Sequence, residues 1–169
     1  IAYQQGSPVI YLAALTLCAA TTGFLIFNWP PAKIFMGDVG STFLGFVFAV
    51  MAVIAARYDH SHTSLFVVPL LLFHFIFDTA FTFARRILRG DKVFQAHRTH
   101  LYQLLNRLGC SHLTVTLVYS AIGIVQGVGA IWMINIPGHQ RVLVFLPFLL
   151  LQSVFATVVV RLARRHDYL

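Results

Sequence analysis

The chain has 169 residues, of which 59% are hydrophobic and only 10% are charged, and its mean hydropathy is +0.80. A soluble domain carries about a quarter charged residues, so this composition excludes an ordinary soluble protein and indicates a membrane protein. Glutamate is absent, and twelve Lys and Arg residues against five Asp give a formal net charge of +7. Because the basic residues lie between apolar runs, they indicate anionic lipid headgroups or an anionic substrate rather than nucleic acid.

Five apolar segments of 18 to 22 residues follow one another along the chain, and about 20 residues cross the hydrocarbon core of a bilayer. Backbone groups cannot stay unpaired in lipid, so segments this apolar predict helices rather than barrel strands. The predicted fold is therefore an all-α polytopic membrane protein, with five transmembrane helices in a single membrane domain over residues 1–169. The predicted spans are 8–27, 39–56, 63–84, 113–134 and 142–160.

The basic residues are divided unevenly among the polar stretches that separate the spans. Ten of the twelve lie in three alternate stretches, residues 28–38, 85–112 and 161–169. Cytoplasmic loops carry the excess of Lys and Arg in membrane proteins. We therefore predict that these three stretches are cytoplasmic and form the site, and that residues 57–62 and 135–141 lie on the opposite side.

The first polar stretch and the start of the second span read NWPPAKIFMGDVGS. Its two prolines end the first helix, and its glycines predict a turn before the next one. Asp38 lies at or just before the positive end of that second helix. There it is either an N-cap or a ligand for a divalent cation beside a phosphate site, and the residues alone leave both open.

An ionisable residue, Asp78, lies inside the third predicted span. Such a residue is costly in lipid and is a functional candidate by default. His74, Asp78 and Arg85 are spaced i, i+4 and i+7, which predicts one helical face. They form either a structural network inside the bundle or part of the site. Arg85, Arg86 and Arg89 follow directly after the span, where snorkelling anchors are the usual explanation.

The long basic loop contains the segment AHRTHLYQ. Three interpretations stay open for it. A solvated basic loop on anionic lipid is one, and recognition of a diphosphate is another, in which Arg98 offers a planar fork and His97 and His100 share a face. The third is a zinc site completed by Cys110 and His112, although the spacing fits no usual zinc pattern.

Together these segments resemble the polyprenyl-phosphate N-acetylhexosamine-1-phosphate transferases, glycosyltransferase family 4. That family includes the enzymes that start O-antigen and wall-polymer chains and the phospho-MurNAc-pentapeptide translocase. NWPPAKIFMGDVGS resembles the hallmark segment, FDTAFTFARRILRG resembles the span with a buried Asp and an Arg pair, and AHRTHLYQLLNRLGCSH resembles the histidine loop. The three motifs occur in the family's order and cover residues 28 to 112.

The resemblance implies transfer of a sugar-1-phosphate from a UDP-sugar to undecaprenyl phosphate, with release of UMP, at the cytoplasmic face of the bacterial inner membrane. The implied cofactor is Mg²⁺, with Mn²⁺ as the alternative. The implied partners are the two substrates and membrane lipids, without nucleic acid, and a homodimer is left open. Asp38 is implied to be the catalytic and metal-binding residue. The implied substrate-binding residues are Asn28, Lys33, His97, Arg98 and His100, and the implied structural or positioning residues are Asp78, Arg85 and Arg86.

The sequence departs from the family pattern in one respect. Paired aspartates and an Asn-x-x-Asp-Gly motif normally lie upstream of the hallmark segment, whereas no Asp precedes Asp38. We therefore expect the chain to be the C-terminal half of such an enzyme and to be inactive alone. The alternative is a non-catalytic membrane module, such as a transporter half or an assembly subunit, in which Asp78 and the basic loops form a substrate path or a partner surface.

Overall fold

The computed structural model describes residues 8–58, 64–92, 95 and 98–169. Over these residues the chain is helical and has no strand, which confirms the predicted all-α polytopic membrane class. A short 3₁₀ helix, Gly138–Val144, precedes the last α-helix. The α-helices are α1 (Pro8–Asn28), α2 (Gly37–Tyr58), α3 (Ser64–Leu71), α4 (Phe73–Arg89), α5 (Leu101–Arg107), α6 (His112–Met133) and α7 (Phe145–Arg165).

Within the described residues, four helical segments are each long and apolar enough to cross a membrane: α1, α2, α6, and α7 together with the 3₁₀ helix. The third predicted span differs from the continuous helix we expected over residues 63–84. It consists of α3 and α4, which are bent by 69° at Leu72. Pro69 lies inside α3, one turn before the break, and proline both removes a helical hydrogen bond and crowds the preceding turn. The bent pair counted as one span makes five.

Two compact units make up the chain, and the first comprises residues 1–68 and 131–141. Its helices α1 and α2 contact each other. Within an apolar 18-residue stretch of each helix, only 6% of the residues of α1 and 17% of those of α2 are buried. Most of their apolar surface therefore faces outward, which is stable in lipid but not in water.

The second unit comprises residues 69–130 and 142–169, and its core holds α5 in place. Leu101 and Leu104 of α5 are almost completely buried. They pack with Phe77 and Phe81 of α4 and with a small-residue face of α7. Full burial of a leucine contributes about 1.5–3 kcal/mol, so two leucines anchor even this seven-residue helix.

The break between α3 and α4 is stabilised by a buried side chain from α6. Gln126 is fully buried, and in the amide orientation that satisfies its neighbours its nitrogen donates to the Leu71 carbonyl at 3.3 Å. In the same orientation its oxygen accepts from the His74 backbone N–H at 3.1 Å, and its nitrogen lies 2.6 Å from His74 Nδ1. A helix break leaves backbone groups without intrahelical partners. Gln126 supplies those partners.

Candidate functional site

The turn between α1 and α2 is closed by two hydrogen bonds. Asn28 Nδ2 donates to the Ile34 carbonyl at 2.8 Å, and the Lys33 backbone N–H donates to the Phe27 carbonyl at 2.8 Å. The amide of Asn28, a predicted substrate ligand, therefore holds the turn in this structure. The Lys33 residue is exposed.

The structure explains why glycine occupies both positions 37 and 40 of the MGDVGS segment. Gly37 has φ +65°, in the left-handed region where a side chain is strained. A Cβ on Gly40 would overlap Cγ of the Met36 side chain. Gly37 thus allows the chain to turn tightly into α2 just before Asp38, and Gly40 leaves room for the Met36 side chain.

Asp38 is exposed and lies in the first turn of α2, one residue after the helix begins. Ser41 Oγ donates to the Asp38 backbone carbonyl at 3.1 Å, but within the described residues no hydrogen bond to the Asp38 carboxylate is found. The N-cap alternative therefore lacks its hydrogen bond. The carboxylate is instead presented outward, at the end of the helix that favours negative charge.

The donor set at Asp38 fits a magnesium ion in chemical type. Mg²⁺ binds through one or two carboxylates together with substrate phosphates and retains several waters. Across the part of the chain that the structure describes, no group of three or more His, Cys, Asp or Glu side chains could hold a metal. Asp38 could therefore offer one carboxylate ligand to such an ion.

The buried face of α4 is the second part of the candidate site. His74, Asp78 and Arg85 are only 5–8% exposed, which confirms the helical face predicted from their spacing. Thr82, between them on the same face, is 1% exposed. Thr82 was not among the predicted site residues, although its position four residues after Asp78 places it on that face.

The Asp78 carboxylate reaches from α4 to the start of α5. Its Oδ1 accepts hydrogen bonds from Thr82 Oγ1 at 3.0 Å and from the Leu101 backbone N–H at 3.0 Å. The same oxygen lies 3.5 Å from His100 Nδ1. The structure therefore brings together two residues, Asp78 and His100, that the sequence analysis selected separately.

The arginine pair at the end of α4 also contacts the loop. Arg85 Nη2 donates to the Thr99 carbonyl at 2.5 Å, and Arg86 Nη2 donates to the Lys92 carbonyl. Both arginines are 8% exposed, so the snorkelling interpretation suits only Arg89, which is exposed. Arg85 Nη1 and Arg86 Nε are buried without a hydrogen-bond partner among the described residues.

Of the three histidine-loop residues, Arg98 is exposed and His100 is half-buried at the N-cap of α5. The His100 ring stacks with Tyr102 at a centroid distance of 6.0 Å. His97 lies outside the described residues, so its predicted role stays a prediction. The zinc interpretation joined the histidine pair to Cys110 and His112. It is contradicted, because the described residues His100, Cys110 and His112 form no group that could hold a metal.

A groove of about 480 Å³ lies beside α4, α5 and α6. Tyr102 and Tyr119 line it, and their rings are 6.5 Å apart. The other lining residues are His74, Phe75, Val115, Thr116, Ser120 and Gly123. This mainly apolar and aromatic lining suits a hydrocarbon chain better than a charged group.

Comparison with known proteins identifies the family. The family described as "Glycosyl transferase family 4" matches residues 1–56. The chain is 34% identical over 131 residues to a probable undecaprenyl-phosphate N-acetylglucosaminyl 1-phosphate transferase of Bacillus subtilis (strain 168), covering 78% of this chain and 37% of the relative. This chain belongs to glycosyl transferase family 4.

Other relatives in the family are phospho-N-acetylmuramoyl-pentapeptide-transferases. The chain is 31% identical over 137 residues to that of Levilactobacillus brevis, covering 79% of this chain and 40% of the relative. It is 31% identical over 138 residues to that of Staphylococcus saprophyticus, covering 78% of this chain and 39% of the relative. The family 4 chain thus spans about two fifths of the length of the curated relatives it matches. No solved structure matches it.

Proposed function

We propose that the protein to which this chain belongs transfers an N-acetylhexosamine-1-phosphate from a UDP-sugar to undecaprenyl phosphate and releases UMP. The lipid-linked product would initiate a cell-envelope glycan such as lipopolysaccharide O-antigen. We place the reaction at the cytoplasmic face of the bacterial inner membrane, because the basic loops are predicted there. The observation that carries the proposal is the 34% identity, over 131 residues, to a relative named for this transfer.

The reaction forms a bond between an oxygen of undecaprenyl phosphate and the phosphorus attached to the sugar, and it breaks the bond from that phosphorus to UMP. Phosphoryl transfer depends mainly on alignment and charge neutralisation. Asp38 would hold magnesium, or manganese, through its exposed carboxylate. When bound, the metal ion would neutralise charge on the diphosphate.

The remaining residues would bind the donor and the acceptor. Arg98 is exposed, and its guanidinium offers paired donors to the diphosphate oxygens. His97, His100 and Lys33 would add hydrogen bonds or positive charge. The groove lined by Tyr102 and its neighbours would take part of the polyprenyl chain.

The test is a donor panel with the complete gene product, purified and supplied with undecaprenyl phosphate and Mg²⁺. UDP-N-acetylglucosamine, UDP-N-acetylgalactosamine and UDP-N-acetylmuramoyl-pentapeptide are compared, and the lipid product is identified by mass spectrometry. We expect a lipid-linked sugar phosphate from one of the first two donors. Product from the pentapeptide donor alone would show that the donor is UDP-N-acetylmuramoyl-pentapeptide. No product from any donor would favour the non-catalytic module.

A further inference from the structure

We propose that Asp78 is a positioning residue whose buried carboxylate fixes the start of α5 and the ring of His100 against α4. In doing so it sets the conformation of the segment that carries Arg98. The role of that segment in binding the UDP-sugar rests on the proposed function. The attachment of α5 to α4 through Asp78 does not.

Asp78 is too buried to act on a substrate directly, since only 5% of the residue is exposed. A buried carboxylate is costly unless hydrogen bonds and charge compensate for the lost water. Its Oδ1 has Thr82 Oγ1 and the Leu101 N–H at 3.0 Å, together with His100 Nδ1 at 3.5 Å. Two of these three contacts are to consecutive residues at the start of α5, so the carboxylate is directed at that helix end.

The backbone N–H of Leu101 explains why an acceptor is needed there. The first N–H groups of a helix have no partner within the helix. Water cannot supply one here, because Leu101 is only 1% exposed. Without Asp78 this donor would be buried and unpaired. The Gln103 side chain accepts from the neighbouring His100 N–H at 3.2 Å, so side chains satisfy two successive backbone donors.

A second contact from α4 restrains the same segment. Arg85, seven residues after Asp78 and therefore on the same face, donates to the Thr99 carbonyl at 2.5 Å. Consecutive residues 99, 100 and 101 are thus each held by a side chain of α4. Arg98 lies directly before this fixed segment and is exposed. Fixing residues 99–101 therefore limits the directions in which its guanidinium can extend.

The two functions of the carboxylate, acceptor and charge, are separable by substitution. Asp78→Asn keeps an oxygen that accepts from Leu101 and Thr82 but loses the negative charge beside His100. Asp78→Ala removes both. Thr79→Ala is the matched control, because Thr79 is the next residue of α4 and is exposed.

The experiment measures hydrogen exchange at the Leu101 amide, by mass spectrometry of peptides from the 98–107 region, in the complete gene product embedded in lipid nanodiscs. Asp78→Ala should speed exchange at Leu101 about tenfold, the effect of losing one hydrogen bond to a charged group. Asp78→Asn and Thr79→Ala should leave it close to wild type. Unchanged exchange in Asp78→Ala, or equal loosening in Asp78→Asn, would overturn the proposal.

Steady-state kinetics on the same variants separate positioning from general damage. Asp78→Ala should raise the KM for the UDP-sugar by about tenfold or more through misplacement of binding groups. The KM for undecaprenyl phosphate should change less, because most of the groove lining lies on α4 and α6 rather than on α5. Equal changes in both KM values would contradict a positioning role. A further outcome is that the variants show the expected exchange pattern while the wild-type protein forms no lipid-linked product. That result would support the attachment of α5 to α4 and would overturn only the proposed function.

A milder variant keeps the test valid if Asp78→Ala does not fold. Thr82→Val removes only the hydroxyl that donates to the carboxylate and preserves the side-chain shape. Exchange at Leu101 should then rise by about twofold to threefold, as expected for one weak hydrogen bond. No change in this variant would count against Asp78 as the group that fixes α5.

Discussion

Asp38 and Asp78 each have a carboxylate at the start of a helix, Asp38 within α2 and Asp78 from α4 against α5, but their surroundings differ. Asp38 is exposed in the first turn of α2, whereas Asp78 is buried and hydrogen-bonded to α5. Exposure permits contact with a metal ion and phosphates, and burial permits only an indirect action. The different behaviour of their Asn variants follows from this contrast.

We predict that Asp38→Asn in the complete gene product lowers turnover by more than about 100-fold. Losing a residue that only hydrogen-bonds to a metal ligand costs up to about 100-fold, and losing the ligand itself should cost more. Asn caps a helix as well as Asp does, so expression and membrane insertion should be unchanged. Asp91→Asn, which removes an exposed loop carboxylate, is the control and should keep its turnover. Near-wild-type turnover in Asp38→Asn would show that Asp38 is not a metal ligand.

We also predict that Arg98→Lys raises the KM for the UDP-sugar by about tenfold, because lysine provides a point charge in place of two parallel donors. Arg89→Lys, at an exposed position at the end of α4, should be silent. A generic basic loop predicts that both variants are silent.

At the scale of helices, the apolar spans were predictable and the contacts between them were not. The predicted span 8–27 corresponds to α1 at Pro8–Asn28, and 113–134 corresponds to α6 at His112–Met133. Such agreement follows because an uninterrupted apolar run in lipid must satisfy its backbone locally. Pro69 was a visible signal for the bend between α3 and α4, but the size of the bend was not predictable.

The position of α5 could not be read from its sequence. It has only seven residues, too few for a periodic pattern to be distinctive, and it is held by contacts with α4 and α7 from distant parts of the chain. The pairing of Asp78 with Leu101 and His100 is therefore a tertiary property. Gln126 did carry a signal, since a polar side chain within an apolar span requires a partner, although its partner was not evident.

We predict that Gln126→Leu destabilises the protein by about 1–3 kcal/mol, because it leaves the backbone N–H of the buried residue His74 without its partner. It also removes the donor to the Leu71 carbonyl. The control is Ser120→Ala, an exposed position on the same helix. Thermal unfolding in detergent should show a lower midpoint for the Gln126 variant alone. Equal midpoints in both variants would mean that the break between α3 and α4 does not depend on this side chain.

At the scale of the whole molecule, the distribution of basic residues predicts the orientation in the membrane. Cys110 should react with a membrane-impermeant maleimide only after the membrane is opened. A cysteine introduced at Gly138, which is exposed at the start of the 3₁₀ helix, should react in intact cells. Cys18, within α1, is replaced by Ser in both proteins. The reverse pattern of labelling would contradict the predicted orientation.

The central claim is that the sugar moves together with one phosphate. The most direct measurement uses a UDP-sugar radiolabelled in the phosphate next to the sugar, with the complete gene product, undecaprenyl phosphate and Mg²⁺. We predict that the label enters the lipid fraction and that UMP is released in equal amount, and that Asp38→Asn abolishes both. Release of labelled UDP with an unlabelled lipid product would show transfer of the sugar alone. Label that never enters the lipid would contradict the proposed transferase activity.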